Sequence, residues 1–179
     1  MQKLQKILGE CILLQPKKYE DDRGYFFESY SLNKYRFLDF EFVQDNISVS
    51  KKNTLRGIHF QNKNPQGKLV QVISGEVFDV VVDLRESSPN FLKWEGVLLS
   101  SIKSQQLFIP PGFGHGFLVT SETAIFHYKC TSHYEPNHQI SINYLDPQIN
   151  ISWPKENKFF LSEKDRNAPF LKDILHTLW

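Results

Sequence analysis

The run Thr54-Leu55-Arg56-Gly57-Ile58-His59-Phe60-Gln61 sets a guanidinium and an imidazole three residues apart inside an apolar, strand-like frame. That pair suits an anionic substrate that must give up a proton. Arginine grips phosphate in bidentate fashion, and histidine is the side chain whose ordinary pKa lets it accept a proton near neutrality. Strand alternation puts positions three apart on opposite faces, so Arg56 and His59 serve one pocket only where the pleat is interrupted. Gly57 is the place for such a bulge. Read alone, the string describes an edge-strand arginine and a hydrogen-bonded core histidine, and other residues must overturn that.

A second informative stretch is Pro110-Pro111-Gly112-Phe113-Gly114-His115-Gly116-Phe117, where a proline pair and three glycines force a tight corner before a strand expected to start at His115. Such a corner can deliver an imidazole into a barrel mouth. Its Pro-x-Gly-x-x-His spacing is similar to the second conserved motif of the cupin superfamily, whose small β-barrels often hold a metal on histidines and a carboxylate. Gln61 stands where metal-binding cupins carry a second histidine, and Val119 where a polar residue commonly closes the motif. With only His59 and His115 well placed, three or four N and O ligands do not assemble, and no metal is expected.

These residues need strands to carry them. The chain has 15 Phe, 7 Tyr and 3 Trp, and its apolar segments are short and broken by Gly, Pro, Asn and Ser, which is the pattern of an all-β domain. Leu69 to Ile73 and Val77 to Leu84 flank Ser74-Gly75-Glu76 and are expected to form a hairpin. Within the second run Phe78, Val80, Val82 and Leu84 share one face by period two. Further strands are expected at Gln44 to Ser50, Leu55 to Phe60, Gly96 to Leu99, Gln106 to Ile109, Gly116 to Thr120, Ala124 to Thr131 and Gln139 to Asn143, a spacing that suits a closed sandwich or barrel. Helical pattern is confined to Leu32 to Leu38 and to the tail, where Ser162 can cap a turn and Phe170 to Leu178 is weakly amphipathic.

At 179 residues, without a break in composition, a single domain over 1–179 is expected. Twenty-one Lys and Arg against 20 Asp and Glu leave a net charge of +1, so neither nucleic acid nor an anionic membrane is an expected partner. Any anion must be met by local cations. Cys11 and Cys130 lie far apart in a chain with no recognisable secretory leader, which fits buried thiols in a reducing, cytoplasmic compartment. Ile7 to Leu14 is interrupted by Gly9 and Glu10 and falls far short of the roughly 20 apolar residues of a membrane span.

Taken in order, the motifs resemble those of the dTDP-4-dehydrorhamnose 3,5-epimerase family, the metal-free sugar-nucleotide branch of the cupins. The match begins at Asp22-Arg23-Gly24-Tyr25-Phe26-Phe27-Glu28 and continues through Phe42-Val43-Gln44-Asp45-Asn46, Leu55 to Gln61, Gln66 to Val70, Gly75 to Val80 and Ile109 to Val119. It closes with Tyr128-Lys129-Cys130-Thr131, Asp146-Pro147 and Leu161 to Asp165. The resemblance implies a cupin jelly-roll sandwich with short flanking helices. It also implies a homodimer in which a segment of about residues 1–50 reaches the partner and a tail of about 155–179 packs on the barrel.

The implied chemistry explains the residue types. A 4-keto sugar nucleotide has acidified C–H bonds on both carbons beside the ketone, so a base, an acid across the ring and a cation near the keto oxygen suffice, with no cofactor. By resemblance His59 is the base, Asp165 its orienting partner, Tyr128 the acid, and Lys68 the group near the developing enolate oxygen, while His115 hydrogen-bonds the sugar. On spacing alone Asp165 is a capping-box carboxylate three residues after Ser162, Tyr128 a buried phenol alternating with Phe126 and Cys130, Lys68 a solvated turn residue and His115 a corner stabiliser.

For the nucleotide, the resemblance assigns Arg56, Arg23 and Glu28 to part of the diphosphate and base, and Gln44 and Asn46 to the nucleotide sugar. Tyr19, Arg23 and Glu28 are expected to complete the neighbour's site. Otherwise Arg23 and Glu28 form a surface ion pair of little energetic weight. Two departures stand out: His133-Tyr134 replaces consecutive tyrosines, and Tyr19 replaces a common Phe, both where relatives pack the nucleobase. The resulting expectation is epimerisation of dTDP-4-keto-6-deoxy-D-glucose at C3 and C5 to dTDP-4-keto-L-rhamnose for surface polysaccharide. Inversion of a single centre in a related sugar is the alternative, and a metal-dependent cupin oxygenase or isomerase a more distant one.

Overall fold

The computed structural model describes residues 1–155 and 158–178. Among these, strands numbered along the chain build two facing antiparallel sheets. The first has the order β1 (Gln2–Ile7), β2 (Cys11–Gln15), β10 (Gln106–Ile109), β7 (Lys68–Ser74), β12 (Thr123–Cys130), β5 (Gln44–Lys51). The second runs β13 (Gln139–Ser141), β6 (Leu55–Gln61), β11 (Phe113–Val119), β8 (Glu76–Asp83), β9 (Trp94–Ser100). A small hairpin of β3 (Tyr19–Asp21) and β4 (Gly24–Phe26) stands apart from both sheets.

Alternation along each strand makes three apolar layers. Between the sheets lie Val70 and Val72 of β7, Phe126 of β12, Val77 and Val81 of β8 and Phe117 and Val119 of β11. Outside the first sheet, Tyr35 and Leu38 from α1 (Leu32–Tyr35) and the 3-10 turn after it cover Leu14, Leu69 and Phe108. Outside the second sheet, Leu171 and Leu178 of the C-terminal tail cover Ile58, Phe60, Val80, Val82 and Leu84. The shared face of Phe78, Val80, Val82 and Leu84 is therefore real, but it is the outer face, under the tail. Residues 156, 157 and 179 of the expected tail lie outside the described residues.

The expected β7–β8 hairpin does not form. β7 pairs with β10 and β12, β8 pairs with β9 and β11, and the chain crosses between sheets at Gly75. The corner is tight: Gly75 has φ +83°, and a Cβ there would sit 2.1 Å from the Thr123 carbonyl oxygen. Both strands have apolar residues on both faces and are central in their own sheets, a pattern that a hairpin within one sheet and a crossing between facing sheets share, so the pairing alone separates the two. β11 begins at Phe113 rather than at His115, which places the imidazole inside the strand. The N-terminal hairpin β1–β2 was not anticipated, because Gln2 to Lys6 shows no apolar alternation and is exposed throughout.

The pleat of β6 is interrupted where the site requires it. His115 lies opposite His59 and Phe117 opposite Arg56, so two steps along β11 match three along β6. The extra residue falls at Gly57 and Ile58. Gly57 has φ +113° and a Cβ there would lie 2.6 Å from the Gly116 Cα, so only glycine allows this close approach of the two backbones.

Candidate active site

The bulge turns Arg56 and His59 toward the same space. Both line a cavity of about 350 Å³ between the sheets, together with Gln44, Asn46 and Ser48 of β5, Lys68 of β7, Tyr128 of β12 and His115 of β11. His59 and His115 stand on the second sheet, whereas Lys68, Tyr128 and the β5 residues stand on the first. The two walls thus carry imidazoles on one side and a phenol and an ammonium on the other. A wider groove of about 720 Å³ runs outside β13 and the tail, lined by neither His59, Arg56 nor Tyr128.

Behind His59 sits Asp165, buried, with its Oδ1 2.5 Å from His59 Nε2. A carboxylate only accepts, so Nε2 carries the hydrogen and Nδ1 keeps the free lone pair. Asp165 belongs to α2 (Glu163–Arg166), and Ser162 caps that helix: the Ser162 hydroxyl accepts from the Asp165 N–H at 3.0 Å and donates to Asp165 Oδ2 at 2.8 Å. The cap is thus Ser162, and Asp165, three residues on, is bonded to the cap by its N–H and one carboxylate oxygen and to His59 by the other. Burial by itself would raise the Asp165 carboxyl, but hydrogen bonds from His59, Ser162 and the Gly57 backbone overcome this and hold it below the usual carboxylate range.

A second imidazole–carboxylate pair lies deeper. His115 Nε2 is 2.9 Å from Asp79 Oδ2 and 3.1 Å from Oδ1, with both side chains buried. Burial lowers the His115 pKa, against the opposing pull of Asp79. Asp79 was missed in the sequence, although an acid at the centre of the run Val77 to Val82, on the face turned toward the other sheet, is a signal that it has a buried partner. Lys68 is half-buried in the cavity wall, and burial lowers its pKa. Burial raises the Tyr128 hydroxyl, which therefore stays protonated through neutrality.

Not every expected residue reaches the cavity. His133 does not line it; Tyr134 does, with its N–H donating to Gln44 Oε1 and its hydroxyl to Gln139 Oε1. The alternation of a strand is lost in the segment after β12, so sequence spacing could not say which of the two adjacent rings turns inward. Lys164 Nζ donates to the same Gln139 oxygen, tying the helix of Asp165 to the cavity mouth, a link with no sequence signal. Tyr19, Arg23 and Glu28 also lie outside the cavity. Arg23 pairs with Asp21 and Glu28 with Lys34, so the alternative reading of Arg23 and Glu28 as an ion pair with each other is not met among the described residues. No three His, Cys, Asp or Glu side chains converge as a metal-binding group among the described residues.

A cupin-like jelly roll whose interior sets a carboxylate-oriented histidine across from a phenol and an ammonium defines an isomerase of the proton-transferring kind. Comparison with known proteins narrows this. A family model described as dTDP-4-dehydrorhamnose 3,5-epimerase matches residues 5–173. The relative of that name from Salmonella typhimurium is 49% identical over 174 residues, 95% of either chain. The crystal structure of dTDP-6-deoxy-D-glucose-3,5-epimerase from Legionella pneumophila in complex with dTDP-4-keto-L-rhamnose is similar at a TM-score of 0.93 and 47% identity, covering 96% of this chain and 93% of the other. A 3'-monoepimerase from Streptomyces bikiniensis in complex with dTDP-quinovose is similar at 0.87 and 34%, covering 93% and 86%. The chain belongs to the dTDP-4-dehydrorhamnose 3,5-epimerase family.

Proposed function

We propose that this chain inverts C3 and C5 of dTDP-4-keto-6-deoxy-D-glucose to give dTDP-4-keto-L-rhamnose. The observation that carries the reading is the His59–Asp165 pair facing Tyr128 across one cavity, with Lys68 on the phenol's side. His59 Nδ1 removes the proton from a carbon beside the ketone, and the electron pair moves onto the C4 oxygen as an enolate. The Lys68 ammonium stabilises that oxygen from the cavity wall. Tyr128 delivers a proton to the opposite face and regains its own from solvent while His59 gives the abstracted proton up to solvent, so the centre is inverted, both groups are reset for the second carbon, and the oxidation state is unchanged. Asp165 offsets the charge that the imidazolium gains at each abstraction.

Arg56, Gln44, Asn46 and His115 hold the nucleotide sugar from within the chain. Tyr19, Arg23 and Glu28 serve the site of a second copy in a homodimer. Supporting this, β3–β4 projects with Tyr19, Tyr25 and Phe26 51%, 52% and 65% exposed, a large apolar commitment for a free hairpin. Two free, buried thiols, Cys11 and Cys130, fit a reducing cytoplasm, and no helix among the described residues is long and apolar enough to cross a membrane.

The reading is tested by proton NMR of the substrate with the enzyme in D2O. Deuterium at both C3 and C5 is expected. Deuterium at C3 alone would place the chain with single-centre enzymes, and none at either carbon would remove the enzyme hypothesis.

A further inference from the structure

Ser48 lines the cavity, yet its buried hydroxyl has no hydrogen-bond partner among the described residues. Its neighbours on the inward face of β5 are all engaged: Gln44 donates to Asn46 Oδ1, Asn46 Nδ2 approaches Cys130 Sγ, and Ser50 Oγ accepts from Arg56. A buried hydroxyl left unpaired destabilises the free protein, so its presence calls for a reason outside the fold. Rotation about Cα–Cβ moves a serine oxygen among three staggered positions without moving the backbone, which brings it within reach of a bound molecule.

Register fixes where that molecule would be met. Asn46 lies opposite Tyr128 and Ser48 opposite Phe126, so Ser48 stands two residues, about 7 Å, further along the wall that carries the phenol. That step is comparable to the width of a pyranose with its substituents. The sugar's groups can then be apportioned. The C4 oxygen goes to Lys68 under the mechanism above, and Lys68 lies beside Cys130 at the other end of this wall from Ser48, so Ser48 faces the end of the ring away from C4. The C3 hydroxyl changes orientation during the reaction. The C2 hydroxyl alone keeps its configuration in substrate, enolate and product, so a group fixed in the wall can hold it throughout.

We infer that Ser48 determines specificity by hydrogen-bonding the C2 hydroxyl of the hexose. This rests on the proposed epimerase reading. The test compares wild type and Ser48→Ala on dTDP-4-keto-6-deoxy-D-glucose and on its 2-deoxy counterpart, and measures thermal unfolding of both proteins without substrate. Removing either the serine hydroxyl or the C2 hydroxyl should lower kcat/KM about 3- to 10-fold, and removing both should cost no more than removing one. The substrate-free variant should unfold at the wild-type temperature or above it. Losses that multiply, or a variant that unfolds several degrees lower, would overturn the inference and make Ser48 a structural residue. Absence of turnover by the wild type on the 2-hydroxy substrate would instead remove the epimerase reading, and this inference with it.

Discussion

Asp165→Asn is the most revealing single substitution, because the present hydrogen bonds favour one orientation of the new amide. The Ser162 hydroxyl accepts from the Asp165 N–H and gives its own hydrogen to Oδ2, so an acceptor at that position keeps Ser162 as it stands. The asparagine oxygen takes it, and the NH2 group is left facing His59 Nε2, where Asp165 Oδ1 now lies at 2.5 Å. A donor there demands a lone pair on Nε2, which drives the ring hydrogen to Nδ1, the nitrogen that must accept the substrate proton. The variant therefore folds with its base in the wrong tautomer and without the charge that steadies the imidazolium. In the serine-hydrolase triad the equivalent change costs about 10⁴-fold, and loss of one general base about 10²- to 10⁴-fold. A fall in kcat of about 10³- to 10⁴-fold is expected, equivalent to roughly 4 to 5.5 kcal/mol of barrier, with KM changed little. Initial rates from deuterium incorporation at C3 and C5 across a substrate series provide both parameters. A loss smaller than about tenfold, or one carried by KM, would refute the tautomer argument.

Tyr128→Phe should uncouple exchange from inversion: deuterium still enters C3 and C5 with retention while product accumulation falls about 10²-fold or more. Weakened affinity with normal turnover would make Tyr128 a wall residue. Because burial lowers the Lys68 pKa, kcat/KM should decline on the alkaline side below the ordinary lysine value of about 10.4, and Lys68→Arg should shift that limb upward whatever its plateau. An unmoved limb would assign it to another group. Stability should fall on acidification. The folded pKa of His115 is depressed, so the unfolded chain binds more protons below about 6.5 and the stabilisation by the neutral imidazole is lost as pH falls from there toward the folded value. Asp165, also depressed, contributes above about 4 and is lost below it. Unfolding temperatures measured from pH 8 to pH 3 should drop in those two windows, and a flat profile would contradict both.

The alternation of Val77 to Leu84 was legible as a strand, but not its sheet, since a chain crossing at Gly75 and a hairpin turning there leave the same local pattern. The bulge at Gly57 was legible from chemistry: Arg56 and His59 can share a pocket in no other way. The partners of the two histidines were not legible from spacing. Asp165 is 106 residues from His59 and Asp79 is 36 from His115, and only the closing of the two sheets and the tail brings each pair together. Resemblance supplied Asp165 and was silent on Asp79. Tyr134, Gln139 and Lys164 meet through side-chain hydrogen bonds between a loop, a strand and a helix, so no one periodicity relates them.

The central claim is that one imidazole removes the protons from both carbons flanking the ketone. His59→Ala, assayed by substrate NMR in D2O alongside wild type, tests it most directly. Deuterium should fail to enter either C3 or C5 on the wild-type timescale while the folded protein still binds dTDP. Near-normal incorporation at one or both carbons would contradict the account.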